Sequence, residues 1–339
     1  MADLATTYLG LPLRNPLVIA ASSVTARIEN LELCDRFGAG AVVLRSLFEE
    51  QILADRSQLE EVLDTASGSH AEAQDYFPPV SHADATDYLR RIEESKKAVS
   101  IPIIASLNAV NNGSWTRYAR QMVEAGADAI ELNVYSVATD LNVSSQQIEE
   151  QLLELVEGVL SVASVPVSVK LSPYYTSLVN VVGQLDQRKV GGVVLFNRFL
   201  QPDIDPQSET LTNAMPLSSP NELRLPLRYV ALLAGRVKCD LAISTGVHRG
   251  EDMVRAILAG ATVTQIAASV IKNGIHHIAT MLRDLEAWMD ERGHHSVDDL
   301  RGRLSQQAVN DPFAFERAQY VNLLLSGGAL SGPLNARVN

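Results

Sequence analysis

Apolar residues along this chain come in two rhythms. Short runs of aliphatic and β-branched residues alternate with longer stretches in which apolar side chains recur every three or four positions, as strands and amphipathic helices would if taken in turn. Glycine marks the passage from helix to strand. Gly38-Ala39-Gly40-Ala41 precedes Val42-Val43-Leu44, and Ala125-Gly126-Ala127-Asp128 precedes Ala129-Ile130-Glu131-Leu132. Val190-Gly191-Gly192 precedes Val193-Val194-Leu195-Phe196, and Ala259-Gly260-Ala261 precedes Thr262-Val263-Thr264-Gln265-Ile266. A helix that stops at glycine and yields to a β-branched run reads as an αβ loop.

Two further segments, Ser100-Ile101-Pro102-Ile103-Ile104-Ala105-Ser106-Leu107 and Ser164-Val165-Pro166-Val167-Ser168-Val169-Lys170-Leu171, open a strand with proline, whose missing N–H costs little there. Pro16-Leu17-Val18-Ile19-Ala20 and Asp240-Leu241-Ala242-Ile243-Ser244 bring the strands to eight. Helical stretches separate them, among them 114–124, 146–162 and 251–258. Eight βα units in series predict an α/β fold whose strands close into a (β/α)8 TIM barrel, with an open doubly wound sheet as the alternative.

Two stretches break the regularity. The gap from Phe48 to Val99 is far longer than the others, and its middle, Ala66 to His82, is rich in Ser, Gly, His and Pro. A long loop after the second strand is expected there, of the kind that carries function. Beyond Arg301, Asp311-Pro312 reads as a cap and first-turn proline, with Phe313, Arg317, Tyr320, Val321 and Leu324 at helical spacing. The expected organisation is a barrel over 1–300 and a helical tail over 301–339, packed on the barrel or on the partner subunit of a homodimer.

In such barrels the active site sits at the C-terminal ends of the strands. Side chains alternate along a strand. If Val167, Val169 and Leu171 face the helices, Ser168 and Lys170 point inward; likewise Glu131 and Asn133, and Ser106 and Asn108. The barrel mouth then collects Asn108, Asn133 and Lys170 over Glu131. A buried lysine is costly unless paired. Three readings stay open: a structural Lys170–Glu131 pair, a Schiff-base lysine, or a cation facing an electron-rich cofactor edge.

The turn Ser244-Thr245-Gly246-Val247 and the segment Ala267-Ala268-Ser269 follow the seventh and eighth strands, where barrels commonly bind phosphate through backbone amides. No dinucleotide fingerprint or P-loop is present. His276-His277 and His294-His295 are neighbours that cannot share a helical face, and no metal site is expected. His248 reads as a solvated loop residue, and Asp203-Ile204-Asp205 as a turn rich in backbone hydrogen bonds.

Charge narrows the partners. Among 339 residues, 28 Lys+Arg stand against 40 Asp+Glu, a net charge of −12. Without a basic run, nucleic-acid binding is disfavoured, while a locally positive pocket could still take a small anionic substrate. The two cysteines, Cys34 and Cys239, form no Cys-x-x-Cys pattern and suit a reducing compartment. No leader and no apolar stretch of about 18 residues is found, so a cytoplasmic protein without membrane attachment is expected.

These residues resemble the dihydroorotate dehydrogenases, flavin-dependent (β/α)8 barrels, over roughly residues 8 to 300. The likeness rests on Asn15-Pro16-Leu17 leading to Ala20-Ala21-Ser22, on Glu131-Leu132-Asn133, on Val169-Lys170-Leu171-Ser172-Pro173, and on Gly260-Ala261-Thr262 with Gln265-Ile266. Leu195-Phe196-Asn197-Arg198-Phe199 with Gln201-Pro202-Asp203-Ile204-Asp205 is similar to the dihydroorotate dehydrogenase-like subgroup, which lacks part of the catalytic set.

The resemblance implies FMN lying along Ala20, Ala21 and Ser22, with Arg45 and Ser46 after the second strand, Arg45 standing where relatives often have lysine. It implies that Asn133, Asn197 and Lys170 face the flavin, Lys170 near the N1–O2 edge to stabilise the anionic reduced form. Gly246, Ala267, Ala268 and Ser269 would receive the phosphate, and Asn108, Asn133, Asn197 and Arg198 would meet the substrate.

The departures lie on the substrate side. Where relatives read Asn-x-Ser-(Cys or Ser)-Pro-Asn, this chain has Asn133-Val134-Tyr135-Ser136-Val137-Ala138, with Ser136 at the position of the base and the Pro-Asn pair gone. An asparagine motif in the long loop is replaced by Ser67-Gly68-Ser69-His70, and Arg198 stands in place of a small hydroxyl residue. The expectation is an FMN-dependent oxidoreductase acting on CH–CH bonds, related to dihydroorotate oxidation in pyrimidine biosynthesis, with Ser136 or water handling the proton. The rivals are an FMN-binding protein without turnover and a flavin-free lysine-dependent lyase.

Overall fold

The structure, a computed structural model, describes residues 2–48, 85–109, 112–134, 137–199, 201–212 and 216–316. It opens on a hairpin rather than a barrel strand. β1 (Thr6–Tyr8) and β2 (Leu11–Leu13) pair antiparallel across Leu9 and Gly10, whose φ values of 55° and 73° are those a two-residue type I′ turn requires.

Strand and helix then alternate. β3 (Leu17–Ile19), α1 (Ile28–Arg36), β4 (Ala41–Val43) and the short β5 (Leu47–Phe48) are followed by α2 (Ala85–Ala98), β6 (Ile103–Ala109) and α3 (Asn112–Glu124). Next come β7 (Ala129–Val134), α4 (Ser145–Leu160), β8 (Val167–Leu171), α5 (Leu178–Gln187) and β9 (Gly192–Leu195). After the hairpin β10 (Asp203–Asp205) and β11 (Thr210–Thr212) lie α6 (Arg224–Leu233), β12 (Asp240–Ser244), α7 (Gly250–Ala259), β13 (Val263–Ile266), α8 (Ala268–Asn273) and α9 (His277–Glu291). Parallel pairing runs β3–β4–β6–β7–β8–β9–β12–β13 and returns from β13 to β3, so the eight expected strands close a barrel.

Local chemistry sets several boundaries. β6 and β8 begin just after Pro102 and Pro166, which have no N–H to give but whose carbonyls accept from Val42 (3.1 Å) and Ile130 (2.9 Å). α4 starts at a capping box in which Ser144 and Gln147 satisfy each other's backbone N–H. The stretch expected to be loop up to Val99 ends instead in α2, with Tyr88 and Ile92 buried four residues apart on one face.

The barrel separates two apolar layers. Leu107, Leu132, Val169 and Leu195 face outward with Trp115 and Met122 under the helices. Val18, Val43, Ile104, Val194 and Val263 face inward and pack with Tyr8, Leu9 and Leu13 of the hairpin, which fills the N-terminal end of the barrel. Each such side chain contributes about 1.5–3 kcal/mol when fully buried. The hairpin is tied down by the Leu9 N–H, which donates to Asp240 Oδ2 at 2.7 Å, while Asp240 Oδ1 accepts from Thr262 Oγ1 at 3.0 Å.

Past α9 the chain returns to the barrel wall through backbone bonds from Gly302 to Ile257 (2.9 Å), Leu304 to Leu258 (2.8 Å) and Gln306 to Ala231 (2.9 Å). Pro312–Phe315 makes a 3-10 turn, and the rest of the helix expected there lies outside the described residues. No described helix is long and apolar enough to cross a membrane.

Candidate active site at the barrel mouth

Strand register sets polar side chains side by side. Asn108 pairs with Asn133 and Asn133 with Lys170, while one level below Ser106 pairs with Glu131 and Glu131 with Ser168. A hydrogen-bonded line crosses the mouth: Asn197 Nδ2 donates to Asn133 Oδ1 (2.6 Å), Asn133 Nδ2 donates to Ser46 Oγ (3.2 Å), and Ser46 shares a hydrogen bond with Ser106 (2.8 Å). Under it, Glu131 Oε2 accepts from Gln265 Nε2 (2.5 Å), and Glu131 Oε1 lies 3.9 Å from Lys170 Nζ. Glu131 Oε1, Gln265 Oε1 and Tyr8 Oη are buried without a hydrogen-bond partner among the described residues.

A cleft of about 330 Å³ opens above this group, lined by Ala20, Ala21, Ser22, Lys170, Asn197, Arg198, Gly246, Gln265, Ala267 and Ala268, with Pro216, Leu217 and Ser218 as a side wall. The turn after β12 holds Thr245 and Gly246 at φ 82° and 79°. For a β-branched residue that conformation is strained, and such outliers gather at functional turns. Gly246 has no substitute there, since a Cβ would run into the Leu223 backbone nitrogen. Ser22 Oγ and Ser269 Oγ are buried and unpartnered among the described residues, one beside the cleft and the other in the first turn of α8.

Of the residues singled out from sequence, Ala20, Ala21, Ser22, Lys170, Asn197, Arg198, Gly246, Ala267 and Ala268 thus meet at one cleft. Asn133 and Ser46 reach it through hydrogen bonds, and Asn108 is buried near the end of β6. Arg45 is exposed and is not among the lining residues. Ser136 and the 67–70 stretch lie outside the described residues. Arg198 lines the cleft, yet its Nε donates to Glu222 Oε2 (2.7 Å) and its Nη1 to the Pro216 carbonyl (2.5 Å).

His248 corrects the expectation of a solvated side chain. It is buried, its Nε2 is 3.4 Å from Ser218 Oγ, and its backbone N–H donates to Asp252 Oδ2 at 3.0 Å. Burial pushes its pKa below the usual imidazole value, against the pull of Asp252. Asp203–Asp205 forms a hairpin strand rather than only a turn. The Gln207 amide and Ser208 hydroxyl hold the Asp205 carboxyl below its ordinary range. Among the described residues no group of three His, Cys, Asp or Glu is arranged for a metal ion.

Sequence reasoning missed Gln265, Tyr8 and the 216–218 wall. Strand parity finds Gln265, which shares its inward face with Val263; Leu9-Gly10 between two β-prone triplets is a hairpin signal. The end of the wall is marked by Ser219-Pro220-Asn221-Glu222, a capping box with proline in the first turn.

The family model described as dihydroorotate dehydrogenase matches residues 60–289. A Thermoplasma acidophilum dihydroorotate dehydrogenase B (NAD(+)) catalytic subunit is 28% identical over 309 residues, covering 89% of this chain and 99% of that protein. A protein of the same name from Methanothermobacter thermautotrophicus is 27% identical, covering 88% and 97%. A putative dihydroorotate dehydrogenase A (fumarate) from Aeropyrum pernix is 24% identical, also covering 88% and 97%.

Proposed function

The chain belongs to the dihydroorotate dehydrogenase family, and from that membership we propose an FMN-dependent cytoplasmic oxidoreductase that acts on a CH–CH bond next to a carbonyl, as in dihydroorotate oxidation in pyrimidine biosynthesis. The observation that carries the reading is Lys170, which lines the cleft and whose ion pair among the described residues is a 3.9 Å approach to Glu131. A cation placed there is suited to negative charge developing in the cleft.

The residues present fit FMN. The Ser22 hydroxyl, unpartnered among the described residues, the left-handed turn at Gly246 and the backbone of Ala267 and Ala268 line one cleft and offer neutral groups of the kind a phosphate and a flavin edge would need. FMN held there supplies a reversible hydride acceptor. The chain's own residues do the remainder. Asn133 and Asn197, locked to each other, orient the substrate; Lys170 balances charge; Ser136 or a water takes the proton. A second reading, FMN binding without turnover of dihydroorotate, is favoured by the engagement of Arg198 with Glu222 and Pro216.

The test begins with the visible spectrum of the purified protein, where a band near ~450 nm reports flavin. Heat should release FMN, and anaerobic substrate should bleach the band. FAD, or nothing, released from a loaded preparation would sink the proposal. Borohydride trapping of a carbonyl ligand on Lys170 would install the lyase instead.

A further inference from the structure

We propose that Arg198 is a positioning residue that fixes the 216–219 wall of the cleft, and not a ligand for a substrate carboxylate. The inference rests on reading the cleft as the FMN and substrate site. Gripping a carboxylate bidentately requires two guanidinium nitrogens presented together. In Arg198, Nε is committed to Glu222 and Nη1 to the Pro216 carbonyl, at 2.7 and 2.5 Å. The side-on fork, which needs Nε, cannot take a substrate carboxylate while Nε donates to Glu222, and freeing it would strand a partly buried carboxylate.

Glu222 is itself held in place. It sits in the 3-10 turn Pro220–Leu223, where its Oε1 accepts from the Ser219 N–H at 2.7 Å. Burial raises its pKa, but the Ser219 amide and Arg198 prevail and hold the carboxyl below its usual range. Arg198 therefore grasps the wall at two points, Pro216 before it and Glu222 after it. The residues between, Leu217 and Ser218, line the cleft, and Ser218 Oγ lies 3.4 Å from His248 Nε2. At the end of the turn, Leu223 lies against Gly246, so the wall also braces the anion turn. The pair sets the width of the cleft and the seat of the cofactor from one anchor on the end of β9.

Glu222→Gln, for which the two readings predict opposite signs, decides the matter beside Arg198→Ala. If Arg198 is a clamp, Arg198→Ala and Glu222→Gln act alike: the amides of residues 217–219 and 221–223 exchange at least about tenfold faster. Apo-protein then binds FMN more weakly, orotate binds more weakly, and KM rises more than kcat falls. Arg198→Lys, a point charge without the fork, should recover only part of the protection. If Arg198 is instead a carboxylate ligand masked by Glu222, Glu222→Gln tightens orotate while Arg198→Ala loosens it, and the proposal is overturned. Unchanged exchange in both variants overturns it equally. Exchange is measured on the flavin-free chain, so an unmodified protein that takes up no FMN defeats the functional reading while leaving the clamp to be judged on exchange alone.

Discussion

Lys170 Nζ and Glu131 Oε1 stand 3.9 Å apart inside the barrel, an ion pair without a direct hydrogen bond. Stability explains such a pair poorly, because apolar replacements of buried pairs are often neutral or stabilising. What the spacing does is leave the ammonium available to the cleft while Gln265 holds the carboxylate. Lys170→Ala should therefore give a folded barrel in which reduction of bound flavin by substrate is slower by a factor of roughly 10² or more, a loss of a few kcal/mol of transition-state stabilisation. Stopped-flow absorbance measures this. If the variant fails to fold while Glu131→Gln/Lys170→Met folds well, the pair is structural.

Dihydroorotate is expected to be a poor substrate. Two amides that the family resemblance leads one to expect are absent at Ala138 and in the 67–70 stretch, and each polar group left unpaired would cost about 1–3 kcal/mol. Together they predict a loss of about 10²–10⁴ in transition-state binding. Rapid mixing under anaerobic conditions reads it directly, and a rate and affinity like those of ordinary relatives would show that other residues have rebuilt the site.

At Gly246 the left-handed backbone and the contact with Leu223 add their penalties, so Gly246→Ala should destabilise by about 2–4 kcal/mol and weaken cofactor retention. Gly183, inside α5, has nothing within 4 Å of where a Cβ would go. Gly183→Ala should instead stabilise by about 0.5–1 kcal/mol. Denaturant titration of the two variants separates backbone strain from a general effect of removing glycine.

Burial lowers the His248 pKa in the folded protein, so protons bind the unfolded chain more readily. The contribution of His248 is fully present above about pH 6.5, the ordinary imidazole value, and is lost as pH falls through its lower folded value. His248→Asn should flatten the decline in unfolding free energy below about pH 6.5 while leaving the slope above pH 7 unchanged. An identical slope in variant and wild type would refute the assignment.

The strands were legible because glycine and proline punctuate them and because polar residues mark the inner face. In β8 all five side chains are buried, so hydrophobicity alone cannot tell inside from outside; Ser168 and Lys170 do. Helix α2 escaped notice because its fully buried apolar positions, Tyr88 and Ile92, are sparse among charges. The contacts that finish the site join distant positions, Leu9 with Asp240 and Arg198 with Glu222, and local spacing carries no trace of such pairs. Ser218, His277 and Asp252, on three separate segments, hydrogen-bond His248, which a lone histidine in sequence cannot announce.

The hairpin of the first residues turns the barrel into a bottle with its stopper in place. Tyr8, Leu9 and Leu13 cork one end, and among the described residues the way to the axis is the neck above Lys170. A reductant and an oxidant that both need that neck must take turns, one departing before the other arrives. Their steady-state plots should then be parallel lines, the kinetic mark of a ping-pong sequence.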